Sequence, residues 1–246
     1  MKTDLWQSES RRYSKRLKKL VMQDPKVIGL ITKLPKIPLE YHPSSLGLVA
    51  VNLSIFASSC KYFTHNVVLT FLNLWDQGLL TTISLPVRLA FELWGATHFA
   101  LKTARDFENT GNLDKAISVT QKLTLGARSD VDLPWGGKAE VKSINVKDFI
   151  RSLEDVEPQT ESIYDFLCES CHPSFLMLTT WLIHNWSNAV FRKRTHELLR
   201  RTLKAMEQAI VGIDSDVVNI LEWALPHIEQ DQIQAGSSSS VKITPR

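Results

Sequence analysis

Cysteine is scarce in this chain: three residues in 246, Cys60, Cys168 and Cys171. An odd count with two members three apart makes no disulfide framework, so packing has to hold the fold together. Strand signals are equally thin. Only 27–34 and 141–146 offer short β-prone runs, and neither alternates cleanly. The common phosphate and acyl-transfer motifs are missing. Gly136-Gly137-Lys138 lacks the upstream glycine and the following Ser/Thr of a P-loop, and neither Gly-x-Gly-x-x-Gly nor Gly-x-Ser-x-Gly occurs. No internal repeat is visible. The first nine residues, Met1 to Glu9, contain no apolar stretch of the kind a secretory signal needs, so a cytoplasmic location is expected.

Long purely apolar runs are absent too. Residues 44–60 and 173–191 carry no Asp, Glu, Lys or Arg, but Asn52, Ser54, Ser58 and Ser59 dilute the first, and Thr179, Thr180, His184, Asn185 and Asn188 the second. A spanning helix needs ~20 predominantly apolar residues, so buried core helices are expected here and no transmembrane segment.

What is present is an ordinary globular composition, 43% hydrophobic and 22% charged, on a chain long enough to bury a sizeable core. Net charge is only +3, yet it is unevenly spread. Residues 1–20 hold seven Lys/Arg against Asp4 and Glu9, and residues 192–204 hold six against Glu197. Residues 205–234 then hold six carboxylates and no Lys or Arg. Pairing of these basic and acidic segments within the bundle or across a homodimer is expected.

Helical periodicity dominates. Leu5, Tyr13, Leu17, Leu20 and Val21 make residues 3–23 a basic amphipathic helix. Pro25, Pro35, Pro38 and Pro43 mark a non-helical linker. Ser44 or Ser45 caps an apolar helical region reaching about Gln77, with a break expected near Thr64. A further helix runs from about Thr81 to Glu108, or starts near Ser84 with Pro86 in its first turn. Gly111 opens a helix over 113–125, and a loop follows over 126–145. Helices resume over 146–155 and 159–171, then from Pro173 to about Phe191. Residues 190–229 form one or two more, with Leu199, Leu203, Met206, Ile210, Ile213, Val217 and Ile220 on one stripe. The class is all-α: an irregular multi-helix bundle of about eight helices. The basic N-terminal helix and proline linker occupy 1–43, the bundle 44–233, and a disordered serine-containing tail 234–246.

Candidate chemistry gathers in two places. Cys168-x-x-Cys171-His172 has c-type haem spacing, but haem attachment is normally coupled to export, and the simpler expectation is two small side chains in a helix interface. A thioredoxin-like pair would need a βαβ setting that is missing. Glu169-x-x-His172 is half of a di-iron motif, and no second Glu-x-x-His exists in the chain. No metal and no cofactor are therefore expected. The second place is the helix around 84–102, apolar nearly all round yet carrying Arg88 and Glu92 at i,i+4. Buried charges must pair. The pair is either a structural tie or part of a polar cluster in a cleft with Tyr164 and His172.

Residues 78–101 with Arg88-x-x-x-Glu92, followed by Tyr164-x-x-Leu167-x-x-x-x-His172-Pro173, resemble a bacterial helical family of unknown function. Cys168 stands where that pattern has Ser, which implies a small core residue. The resemblance points to Arg88, Glu92, Tyr164 and His172 and supplies no activity. The chain also resembles HEPN domains, helical bundles that include metal-independent ribonucleases. Their motif places four to six residues between Arg and His, whereas Arg192 and His196 have three between them and Arg88 and His98 nine. A HEPN-like ribonuclease here needs Arg88 and His172 to meet across helices, His172 as acid/base and Arg88 holding phosphate.

The leading expectation is a non-enzymatic helical interaction or regulatory protein. Its expected partner is RNA or DNA, bound through Arg192, Lys193, Arg194, Arg200, Arg201 and Lys204 and the N-terminal basic helix. The alternative is a hydrolase, ribonuclease-like, built on Arg88, Glu92, Tyr164 and His172.

Overall fold

The computed structural model describes residues 15–19, 25–35, 43–77, 82–126, 142–171 and 189–239. Among these the protein is all-α. The helices are α1 (Pro25–Lys33), α2 (Ser45–Asp76), α3 (Ser84–Thr110), α4 (Leu113–Leu125), α5 (Val146–Ser152), α6 (Thr160–Cys171) and α7 (Ala189–Ser239), with a 3-10 turn at Leu153–Asp155 after α5. No strand forms among the described residues, and residues 15–19 are helical.

Several boundaries differ from the sequence expectation. The proline-marked linker holds a helix, because Pro25 occupies the first helical position, where its missing N–H costs nothing. The 27–34 run, one of the two strand candidates, lies in that helix and the turn after it. α2 does not break at Thr64. The buried hydroxyl of Thr64 donates to the Cys60 carbonyl at 2.7 Å, so it bonds back along the helix instead of capping a new one. α3 starts at Ser84 with Pro86 in its first turn. α7 is one helix of 51 residues that passes through Pro226. The proline removes one ladder N–H there, and both it and Glu222, whose carbonyl is freed, are exposed to water. α7 also runs on to Ser239, past the tail boundary expected at 234.

Two compact units compose the chain. The first comprises Met1–Asp24, Cys60–His98 and Val146–Asp214; the second comprises Pro25–Ser59, Phe99–Asn145 and Ser215–Arg246.

In the first unit the core is built from Leu17, from Val67, Val68, Phe71 and Trp75 of α2, and from Val87, Phe91 and Trp94 of α3. Ile150, Leu153, Leu167, Leu203, Met206, Ile210 and Ile213 complete it. Close approach depends on glycine at one crossing. A Cβ on Gly95 would lie 2.7 Å from the Phe149 carbonyl oxygen, so α3 and α5 meet backbone to backbone. Ser152 Oγ donates to the Phe149 carbonyl at 2.6 Å and approaches the Gly95 carbonyl at 3.4 Å. The Glu154 carboxylate accepts from the backbone N–H groups of Gln159 and Glu161 at 3.2 and 2.7 Å. It thereby satisfies donors at the start of α6 and opposes the helix dipole.

In the second unit Ser44 is the N-cap of α2, its hydroxyl accepting from the Gly47 N–H at 3.1 Å. The Ser44 N–H donates to Asp231 at 3.1 Å. Ala50, Val51, Ala224 and Ile228 form a buried cluster. Together these pairings run the first part of α2 antiparallel to the last part of α7. Trp223 lies between Phe107 and His227, with ring centroids 6.4 and 4.7 Å away. Gly111, at φ +65°, ends α3.

Three carboxylates of the acidic stretch bind cations from other parts of the chain. Glu207 binds Arg16 at 3.1 Å, Asp214 binds Lys61 at 2.5 Å and Glu222 binds Lys26 at 2.8 Å. Cations distant in sequence reach these carboxylates because α7 presents them to its packed neighbours.

Candidate functional site

Arg88 and Glu92 lie one turn apart on α3, and Arg88 Nε donates to Glu92 Oε1 at 3.0 Å. Both side chains are half-buried, 29% and 21% exposed. α6 brings Tyr164 against them. Its phenolic O–H donates to the same Glu92 Oε1 at 2.6 Å, across 72 residues of sequence. The Arg88 guanidinium carbon sits 5.6 Å from the Tyr164 ring centroid, within cation–π range. Three of the four residues singled out by the sequence thus meet within the first unit. The fourth, His172, lies outside the described residues.

The amphipathic pattern of α6 explains the placement. Tyr164 and Leu167 are buried, Cys168 is half-buried one turn on, and Asp165 and Glu169 face solvent. Packing leaves Tyr164 only 4% exposed, so its hydroxyl requires a partner and finds one in Glu92.

The electrostatics follow. Burial, and then the hydrogen bond to the Glu92 carboxylate, push the Tyr164 phenol well above its ordinary pKa. It stays a neutral donor. Burial raises the Cys168 thiol as well, against the opposing pull of Tyr164 and Arg88. Cys168 therefore remains a thiol at neutral pH and is a poor nucleophile. Burial alone would lower the Arg88 guanidinium; the Tyr164 hydrogen bond and the neighbouring Tyr164, Cys168 and Glu92 groups outweigh it, and the cation is held firmly charged.

Cys171 ends α6 with its Sγ 3.7 Å from Ser84 Oγ, and Ser84 Oγ lies 3.4 Å from the Ser170 carbonyl. Both cysteines lie in the last turn of α6, and neither is in a disulfide. No group of three His, Cys, Asp or Glu side chains gathers among the described residues.

The basic residues fall in two classes. Arg200, Arg201 and Lys204 are exposed on α7, with Arg201 Nε 3.1 Å from Glu197. Arg192, Lys193 and Arg194 lie on the helical backbone of α7, with side chains outside the described residues. The N-terminal helix meets α7 through the Arg16–Glu207 ion pair and the buried Leu17. Arg200, Lys204 and Glu207 stand at i, i+4 and i+7, on one flank of α7. Lys15, Lys18 and Lys19 are exposed on the segment docked there. Sequence reasoning treated the two basic segments separately and missed Glu207 as their link. It also missed the Lys61–Asp214 pair, although Lys61 is the one Lys, Arg, Asp or Glu between Ser45 and Trp75.

No family model, no curated protein and no solved structure matches the chain.

Proposed function

We propose that the protein is a non-enzymatic helical interaction module whose partner is a nucleic acid, engaged through its phosphates. The observation that carries this reading is the Arg16–Glu207 ion pair. It docks the lysine-bearing segment 15–19 on the flank of α7 that displays Arg200 and Lys204, so two basic stretches become one face. Phosphate binding grows with the number of cations presented together, and each neutralised phosphate releases counterions. The Arg88/Glu92/Tyr164 group supports a non-enzymatic reading, since one carboxylate oxygen accepts from both Nε and the phenol and holds the three side chains to each other.

Fluorescence anisotropy with labelled RNA and DNA oligomers tests the reading. For about five phosphate contacts the affinity falls roughly 10²–10³-fold between 50 and 200 mM salt. Charge reversal at Lys15 with Lys18, and separately at Arg200 with Lys204, each weakens binding and flattens the salt slope. Binding that ignores both salt and these reversals rejects the reading.

A second reading draws on the convergence of Arg88, Glu92 and Tyr164. In a hydrolase, Arg88 would hold phosphate, Glu92 would orient Arg88, Tyr164 would donate a hydrogen bond and His172 would act as acid/base. RNA cleavage that is abolished by His172→Ala at an unchanged melting temperature would favour this reading over the first.

A further inference from the structure

The last turn of α6 carries two thiols that neither reading above employs. Cys168 and Cys171 stand at i and i+3, and both are half-buried. Each faces α3. Cys168 lies in the group formed by Tyr164 and Arg88, and Cys171 Sγ lies 3.7 Å from Ser84 Oγ. The two side chains therefore leave the same side of α6, one turn apart. The third cysteine, Cys60, is only 4% exposed on α2, which shields it from reagents in solution.

Helix geometry decides how such a pair can join. Residues three apart on an α-helix have Cα atoms about 5 Å apart, inside the range a disulfide spans. Their Cβ atoms are about 5–6 Å apart, roughly 1–2 Å beyond what the bond allows. Closing that gap requires one of the two residues to leave helical dihedrals. In a helix interior this would break the hydrogen-bond ladder on both sides. Cys171 is the final residue of α6, so no turn of that helix follows it, and unwinding there is least costly.

We propose that Cys168 and Cys171 form a reversible redox switch, in which an internal disulfide unwinds the last turn of α6 and withdraws Cys171 from Ser84. The oxidant is a small soluble disulfide. The Cys171 thiolate attacks one of its sulfurs and expels a thiolate. Cys168 then loses its proton to solvent and attacks the Cys171 sulfur, expelling the second thiolate, so that two electrons pass from the protein dithiol to the reagent. Burial holds Cys168 as a thiol at neutral pH, which makes its attack the slower step. A bond that costs a helical turn is strained, and strained disulfides are the readily reduced, regulatory ones. Reduction restores the contact of the α6 terminus with Ser84, the first residue of α3. This proposal does not depend on the nucleic-acid reading.

Equilibration of the full chain with glutathione disulfide, quenched in acid and followed by mass spectrometry, tests it. The expected product is lighter by about 2 Da, with the loss confined to the peptide that holds both residues. Alkylation after denaturation is expected to find one thiol, Cys60, where the reduced chain shows all three. Amide exchange in α6 from Tyr164 onward is expected to quicken several-fold in the oxidised chain and to return with dithiothreitol. Cys168→Ser is expected to stop at a glutathione adduct on Cys171. The measurements on the parent chain decide the matter even if that variant misfolds. Three thiols that stay alkylatable overturn the proposal, as does a glutathione adduct that persists in the parent. A link through Cys60 or between chains overturns it too, and so does an internal disulfide that leaves amide exchange in α6 unchanged.

Discussion

Tyr164 donates its phenolic hydrogen to the one Glu92 oxygen that also accepts from Arg88, at 2.6 and 3.0 Å respectively. One carboxylate oxygen thereby joins α6 to α3 and fixes the cation on the same helix. Tyr164 has no comparable alternative, being almost fully buried, whereas the half-exposed Arg88 and Glu92 retain access to water.

Tyr164→Phe should therefore destabilise the protein modestly. The lost hydrogen bond to a charged acceptor is worth about 1.5–3 kcal/mol, at the lower end here because water can reach Glu92. Glu92→Ala should cost more, since it removes the acceptor of both donors. Urea denaturation of the single and double variants, read as a thermodynamic cycle, should give a non-zero coupling between positions 92 and 164.

Lys61 and Asp214 form a tighter ion pair, each side chain only 12% exposed. Lys61→Met removes the cation that faces the mostly buried Asp214 carboxylate. The expected loss is about 3 kcal/mol. Replacing both with Met and Leu should recover most of it. Chemical denaturation of the three variants checks the order.

Burial pushes the Cys60 thiol from 9.0 up to about 12. The folded state thus holds this proton more tightly than the unfolded chain. Its contribution to stability is complete below pH 9 and declines as pH rises from about 9 towards 12, where the unfolded thiol has ionised and the folded one has not. Tyr164, shifted in the same direction, adds to the alkaline decline above the ordinary tyrosine range. Cys60→Ala should flatten the stability profile between pH 9 and 11 relative to the parent, whatever its effect at pH 7.

Gly95→Ala should be severe for a methyl group. The new Cβ would meet the Phe149 carbonyl carbon at 2.8 Å, and backbone cannot rotate away as a flexible side chain can. An overpacking cost of about 1–3 kcal/mol is expected, with a lowered melting temperature as the readout.

Helix class and most helix spans were legible in the sequence because they depend on local periodicity and on residues such as Ser84, Pro86 and Gly111 that start or stop helices. The misreadings were local ambiguities. Pro25 reads as a breaker or as a first helical residue, and Thr64 as a cap or a back-bonded core hydroxyl; the choice rests on what the neighbouring turn packs against. Gly111 reads as opening α4, whereas the cap is Asn112, its side chain accepting from the Lys115 N–H at 3.0 Å.

The candidate site divides in the same way. That Arg88 and Glu92 pair follows from i,i+4 spacing on one helix. That Tyr164 reaches Glu92, that Arg16 finds Glu207 and that Lys61 turns to Asp214 was decided by the tertiary structure. Periodicity specifies which face of a helix is buried, and only the packing of distant helices specifies which side chains meet across that face.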